Sequence, residues 1–169
     1  IPATVGSQIK GPCSRIDLLK QHAGIDIQAL YPAGAPPKAD SWNMDNFMKA
    51  AEACHKAGVP FGIGECNTAS GGGKRGVSNA FASALWSIDF LFDVARRGGQ
   101  GVNLHGSFTA NNYSPIVFDK KTNTYGPAPL YYGLLFFSQA AQGRLVPTET
   151  QTTANFTAQG VLGPDGKLR

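Results

Sequence analysis

The chain has 169 residues, 42% of them hydrophobic and 15% charged, with 15 Lys and Arg against 11 Asp and Glu for a net charge of +4. A length of this order builds one ordinary domain with its own core. No apolar run is long enough to cross a bilayer, and the cations are adjacent only in pairs such as Lys74-Arg75, Arg96-Arg97 and Lys120-Lys121, so neither a membrane span nor a nucleic-acid surface is expected.

In chain order, residues 14 to 23 read as a short helix. IDIQALYP, residues 25 to 32, alternates and ends at a proline, as a strand running into a loop would. After the loop AGAPPKAD, a helix is expected from Ser41, with Met44, Phe47, Met48, Ala51 and Cys54 at helical spacing and Gly58 as its stop. VPFGIGE, residues 59 to 65, predicts a buried strand that closes on a carboxylate, Glu65. The following helix has the clearest periodicity: Phe81, Ala84, Leu85, Ile88, Leu91, Phe92 and Ala95 repeat at three-four spacing from an N-cap candidate at Ser78. It ends at Arg96, Arg97 and Gly98, where cations and glycine suit a helix C-terminus. GVNLHG gives another short strand ending near His105, followed by a long polar loop with Asn111, Asn112 and Tyr113. A helix then runs from about Ala128 to Gln142, with Pro129 in its first turn and Gly143 after it.

Strand and helix alternate three times, which argues for a parallel sheet wrapped by helices. Beyond Arg144 the chain turns Thr-rich with β-type residues and reaches the turn sequence Gly163-Pro164-Asp165-Gly166. This turn should lead into a second strand, which the three residues left do not provide. The chain is therefore expected to stop inside a β domain.

Cys13, Cys54 and Cys66 fit no zinc spacing, so buried thiols or a single disulfide are expected and no metal. Asn112-Tyr113-Ser114 and Asn155-Phe156-Thr157 match the glycosylation acceptor pattern, relevant only to a secreted chain.

An acid at the C-terminal end of a parallel strand, with a glycine-rich loop beyond it, lies where α/β barrels and open α/β sheets keep their active sites. Burial and neighbours there tune a carboxylate for nucleophilic or acid–base work. The plainer reading is that Glu65 caps its loop or pairs with a lysine. The glycines also invite comparison with a phosphate cradle, but Thr68 and Arg75 stand where a P-loop needs its first glycine and its Ser or Thr. Backbone N–H groups of Gly71 to Gly73 remain able to receive another anion, such as a sugar carboxylate. Among the other acids, Asp26, Glu52, Asp89 and Asp93 read as solvated surface charges. His105 reads equally as a site residue or as a structural histidine. Trp86, Tyr131, Tyr132, Phe136 and Phe137 read as core or packing residues.

The stretch GECNTASGGGKRGVSNAFASALWSIDFLFDVARRGGQGVNLHG, followed by NNYSPIVFD and APLYYGLLFFSQAAQGRLV, resembles the β-glucuronidase and heparanase family of glycoside hydrolases (glycoside hydrolase family 79). The likeness runs from about Ile25 to the C-terminus and is strongest between Gly62 and Val146. It implies an α/β fold: the C-terminal part of a (β/α)8 TIM barrel over residues 1–146, about strands 6 to 8, followed by the start of a β-sandwich at 147–169. It also implies retaining hydrolysis of β-linked glucuronic acid or another uronide. On this resemblance Glu65 is the nucleophile, Gly71 and Gly72 hold the substrate carboxylate through backbone N–H groups, Tyr113 contacts the same group, and Tyr31 is a sixth-strand tyrosine near the nucleophile. His105 would line the same site. The chain departs from the family pattern at Ser70, where a tyrosine is common, and at Ala29, where a histidine is common. The acid/base, at the end of the fourth strand, would precede Ile1, so this stretch alone is expected to be inactive without the N-terminal part of its barrel. The resemblance further implies a uronic-acid glycan as partner, no cofactor, and a secreted or periplasmic location. The alternative from another class is a non-catalytic carbohydrate- or anion-binding α/β module.

Overall fold

The computed structural model describes residues 16–30, 44–69, 71–107, 112–154 and 156–169. The chain divides into two compact units, Ile1–Val59 and Pro60–Arg169.

In the first unit, α1 (Ile16–Leu18) continues as a π-helical stretch, Leu19–Ala23, that Gly24 ends in the left-handed region at φ 66°. The strand expected at 25–32 is not found among the described residues of that stretch. Ile27–Leu30 is instead a helical turn, α2. Asp26 decides this: its Oδ1 accepts the N–H groups of Gln28 and Ala29 at 3.1 and 3.2 Å, and its carbonyl accepts Leu30 N–H. Satisfying the first N–H groups in this way favours a turn over an extended chain. Lys20 Nζ lies 2.7 Å from Asp26 Oδ2, and that bond, with the N–H of Ala29, holds the Asp26 carboxyl below its ordinary value of 3.8. A depressed carboxylate stabilises the fold above its unfolded pKa, and the contribution is lost as pH falls through the folded one. The Gln28 and Ala29 amide resonances should therefore keep their native positions on acidification until below the ordinary aspartate range and then move. Asp26→Asn should abolish that acid transition in an NMR titration.

Helix α3 (Met44–Lys56) forms where a helix is predicted, the expected start at Ser41 lying outside the described residues. Of the predicted stripe Ala51 is buried and Met48 and Cys54 are half-buried, and Ala53, off that stripe, is buried as well. It ends at Gly58, whose φ of 65° is the left-handed stop that a residue without Cβ allows.

The second unit opens with β1 (Phe61–Cys66), which runs parallel to β2 (Gly99–Leu104), connected through α4 (Phe81–Arg96). This is a strand–helix–strand crossover, as the alternation of patterns anticipates. β1 is less buried than its apolar composition implies. Phe61, Ile63 and Cys66 are half-buried, whereas Gly62, Gly64 and Glu65 are exposed.

Helix α4 begins after Ala80, which makes no side-chain cap; Ser78 is not the N-cap. The stripe that packs is also shifted. Ser83, Ala84, Ser87, Phe92 and Val94 are buried, while Phe81 and Leu85 are exposed. The reason is α5 (Pro129–Ala140), which lies against the small-residue face of α4. Gly133 faces Ser87 and Ala84 so closely that an added Cβ would overlap Ser87 Oγ and the Ala84 carbonyl. Phe92 and Phe137 seal this contact edge to face, with ring centroids 4.9 Å apart. Trp86 stacks on Phe90 at 4.9 Å and Tyr131 meets Tyr132 at 5.6 Å.

Between β2 and α5, part of the expected loop is a hairpin, β3 (Ile116–Asp119) antiparallel to β4 (Thr124–Pro127), turned at Asn123 with φ 55°. Beyond α5, β5 (Arg144–Val146) pairs antiparallel with β6 (Gly160–Leu162). The Gly163–Gly166 turn does lead back: Leu168 bridges Leu162, and Val161 and Arg169 exchange N–H···O bonds of 2.9 Å in both directions. Backbone pairing thus needs only the last few residues. Among the described residues no helix is long and apolar enough to cross a membrane.

Candidate active site

The C-terminal ends of β1 and β2 carry the groups singled out from the sequence. Register along this pair is irregular. Phe61 faces Gly99, Ile63 faces Val102 and Cys66 faces Leu104. From Ile63 to Cys66 β1 advances one residue further than β2 does from Val102 to Leu104, so a bulge falls at Gly64 and Glu65. A bulge re-aims the side chain it carries and is often found beside active sites. The Glu65 side chain is 56% exposed.

Strand β2 leads directly to His105, whose backbone N–H donates to the Cys66 carbonyl at 2.9 Å. Its Nδ1 stands 3.9 Å from Glu65 Oε1 and 2.5 Å from the hydroxyl of Tyr113. The first distance is too long for a hydrogen bond, but it is an ion-pair distance when the imidazole is protonated. The second is a short bond within a T-shaped ring pair, centroids 5.7 Å apart. Tyr113 is only 4% exposed, so its phenol is sheltered behind the histidine rather than presented to solvent.

The glycine run forms the adjoining rim. Gly71, Gly72 and Gly73 take φ values of 73°, 91° and 86°. In this left-handed region a Cβ costs about 1–2 kcal/mol per residue, which is why three glycines stand together. The carbonyls of Gly72 and Gly73 accept from Asn112, at 2.9 Å from its backbone N–H and 3.4 Å from its Nδ2. At Gly73 an added Cβ would come within 2.9 Å of Ser78 Cβ and 3.1 Å of Tyr113 Cβ. Gly71 and Gly72 therefore belong to a loop tied to the segment that carries Tyr113.

Ser78, predicted as a helix cap, instead holds this loop together. It is 1% exposed, and its Oγ accepts from Thr68 Oγ1 at 2.7 Å and from Lys74 N–H at 2.9 Å. Ser78→Ala would leave both donors without that acceptor, which costs about 1–3 kcal/mol. A lowered midpoint in urea with an unchanged slope is the expected readout.

Asn67 is a second residue that no motif marks; its only sequence signal is an amide two positions after the acid. Its Nδ2 donates to the carbonyls of His105 at 2.6 Å and Tyr113 at 3.3 Å. Cys66, between Glu65 and Asn67, points its Sγ toward the Asn103 carbonyl at 3.7 Å. Burial first, and the Glu65 charge second, push its thiol pKa upward. Cys54 and Cys66 are both free thiols, and Cys13 lies outside the described residues.

The structure thus brings Glu65, His105 and Tyr113 together and ties the Gly71–Gly73 loop to the Tyr113 segment. Tyr31 lies outside the described residues. Of the acids read as surface charges, Asp26 caps α2 and pairs with Lys20, Asp93 stands 4.0 Å from Arg97, and Asp89 accepts from Thr157 at 2.9 Å. Among the described residues no group of three or more His, Cys, Asp or Glu side chains is placed to hold a metal.

No protein-family model matches the chain. Two curated relatives do. A β-glucuronidase of Neurospora crassa is 34% identical over 90 residues, 52% of this chain and 15% of the relative. A β-glucuronidase of Aspergillus niger is 32% identical over 76 residues, 45% of this chain and 14% of the relative. The chain matches only a small part of either enzyme. These partial matches support a relationship to glycoside hydrolases.

Proposed function

We propose that the chain is part of a retaining glycoside hydrolase of the β-glucuronidase and heparanase type (glycoside hydrolase family 79), acting on β-linked uronic acids, with Glu65 as its nucleophile. The observation that carries this reading is the placement of Glu65. It is a half-exposed carboxylate on a bulge at the C-terminal end of a parallel strand, with an imidazole 3.9 Å away. Parallel α/β folds gather their chemistry at that end. The two partial relatives, both β-glucuronidases, supply the substrate class.

In this reading β1 and β2 are neighbouring strands of a (β/α)8 barrel, and β5 and β6 begin an attached sandwich. Glu65 attacks the anomeric carbon, the aglycone leaves as the glycosidic bond breaks, and a covalent glycosyl ester forms on the carboxylate. A second carboxyl group about 5–5.5 Å away protonates the leaving oxygen and then activates the water that releases the sugar. That group belongs to an earlier strand of the complete enzyme. The N–H groups of Gly71 and Gly72 receive the uronate carboxylate, since glycines let backbone donors approach an anion closely. The chemistry needs no metal or organic cofactor.

The test is mass spectrometry after exposure to a 2-fluoro-glucuronyl fluoride, whose fluoride leaves with little help from an acid and whose glycosyl ester hydrolyses slowly. Label on the peptide containing Glu65, in this chain or in one extended upstream, is the expected result. An unlabelled but folded protein in both forms would remove the assignment. Glucuronate binding that survives Glu65→Gln without turnover in the extended form would favour a binding module instead.

A further inference from the structure

We infer that Asn67 is a positioning residue whose single amide group holds the Tyr113–His105 pair against Glu65. The inference rests on the same site as the reading above, but its geometry stands on this chain alone. His105 is gripped at both of its backbone polar atoms by the two residues that follow the acid. Its N–H donates to the Cys66 carbonyl at 2.9 Å, and its carbonyl accepts from Asn67 Nδ2 at 2.6 Å. The same Nδ2 reaches the Tyr113 carbonyl at 3.3 Å, and the amide oxygen of Asn67 accepts the N–H of Thr68 at 2.7 Å. One primary amide has two donor hydrogens and an acceptor oxygen, and at this position all three are used.

The consequence lies at the other end of the two residues so held. With their carbonyls pinned to one nitrogen, the side chains of His105 and Tyr113 meet at 2.5 Å, and the imidazole stands 3.9 Å from Glu65. Tyr113 is buried and acts through the histidine, whereas His105, with a side chain 47% exposed, is the member of the pair that a ligand at Glu65 would meet. An aspartate of the same shape could not replace Asn67, because a carboxylate facing two carbonyls has no hydrogen to give them and places like partial charges together.

The experiment is a double-mutant comparison on protein labelled with 15N in its histidine rings, at about pH 8, above the ordinary histidine range. The His105 Nδ1 resonance is read in the wild type, in Tyr113→Phe, in Asn67→Ala and Asn67→Asp, and in each of these two combined with Tyr113→Phe. The Trp86 indole resonance reports that α4 remains packed. Tyr113→Phe should shift His105 Nδ1 in the wild-type background, and the shift should vanish where the Asn67 amide is absent, since the contact is already lost. An equal shift with and without the amide would overturn the inference. So would no response to Tyr113→Phe in the wild type. Loss of the native Trp86 signal in both Asn67 variants would assign the amide to holding the fold and also overturn it. Failure of the glycosidase reading shows elsewhere, as a folded protein with the His105 response intact and no sugar ester on Glu65.

Discussion

On the proposed reading, with Glu65 as nucleophile, Glu65→Gln in the complete enzyme is expected to lower kcat/KM toward an aryl β-glucuronide by about 10⁴-fold or more, the scale on which losing a nucleophile is felt. Glutamine keeps the size of the side chain but cannot form the ester. Because the Glu65 side chain is more than half exposed and the His105 imidazole stands 3.9 Å from it, beyond hydrogen-bond distance, the exchange disturbs little packing. A change in stability within about 0.5 kcal/mol is expected, so lost turnover cannot be ascribed to unfolding. Azide should partly restore turnover of the shorter variant Glu65→Ala by attacking the anomeric carbon in place of the carboxylate. Undiminished turnover by the glutamine variant would take Glu65 out of the reaction.

A large structural effect is expected at Gly133→Ala. In an exposed helix interior this exchange would gain about 1 kcal/mol from helix propensity. Here the new methyl group meets Ser87 Oγ and the backbone of Ala84 across the α4–α5 contact. The two helices must separate, at a cost of about 1–3 kcal/mol or more for overpacking, with the Phe92–Phe137 contact loosened as well. Net destabilisation should appear as a thermal midpoint several degrees lower, on the scale of about 2–4 °C per kcal/mol. An unchanged or raised midpoint would mean that the helices meet elsewhere.

The long elements are legible in the sequence because each carries a full period and a stop. The helical periods of α3 and α4 locate both helices, though not the face that α4 buries, and Gly58, Gly98 and Pro129 stand at the helix ends where their chemistry puts them. Several short elements are not. Residues 25–30 alternate like a strand, yet one aspartate accepting two backbone N–H groups tips them into a helical turn. The β3–β4 hairpin turns on Asn123 in the left-handed region, a position asparagine tolerates but does not announce. At the site, Glu65 and the glycines are visible as a strand end and a loop. Asn67 and Ser78 are invisible, because their partners lie on other segments or, for Ser78, in a loop that the helical pattern does not describe.

The thiol beside the acid also governs how covalent modification of this region should be read. Cys66 adjoins Glu65, so a protease that cuts elsewhere leaves both on one fragment, and a mass increase on that fragment could arise from either side chain. Alkylating reagents consume thiolate, and burial together with the neighbouring negative charge keeps Cys66 protonated beyond the ordinary thiol range. Near neutral pH the sulfur is therefore a slower competitor for such reagents than an ordinary exposed thiol.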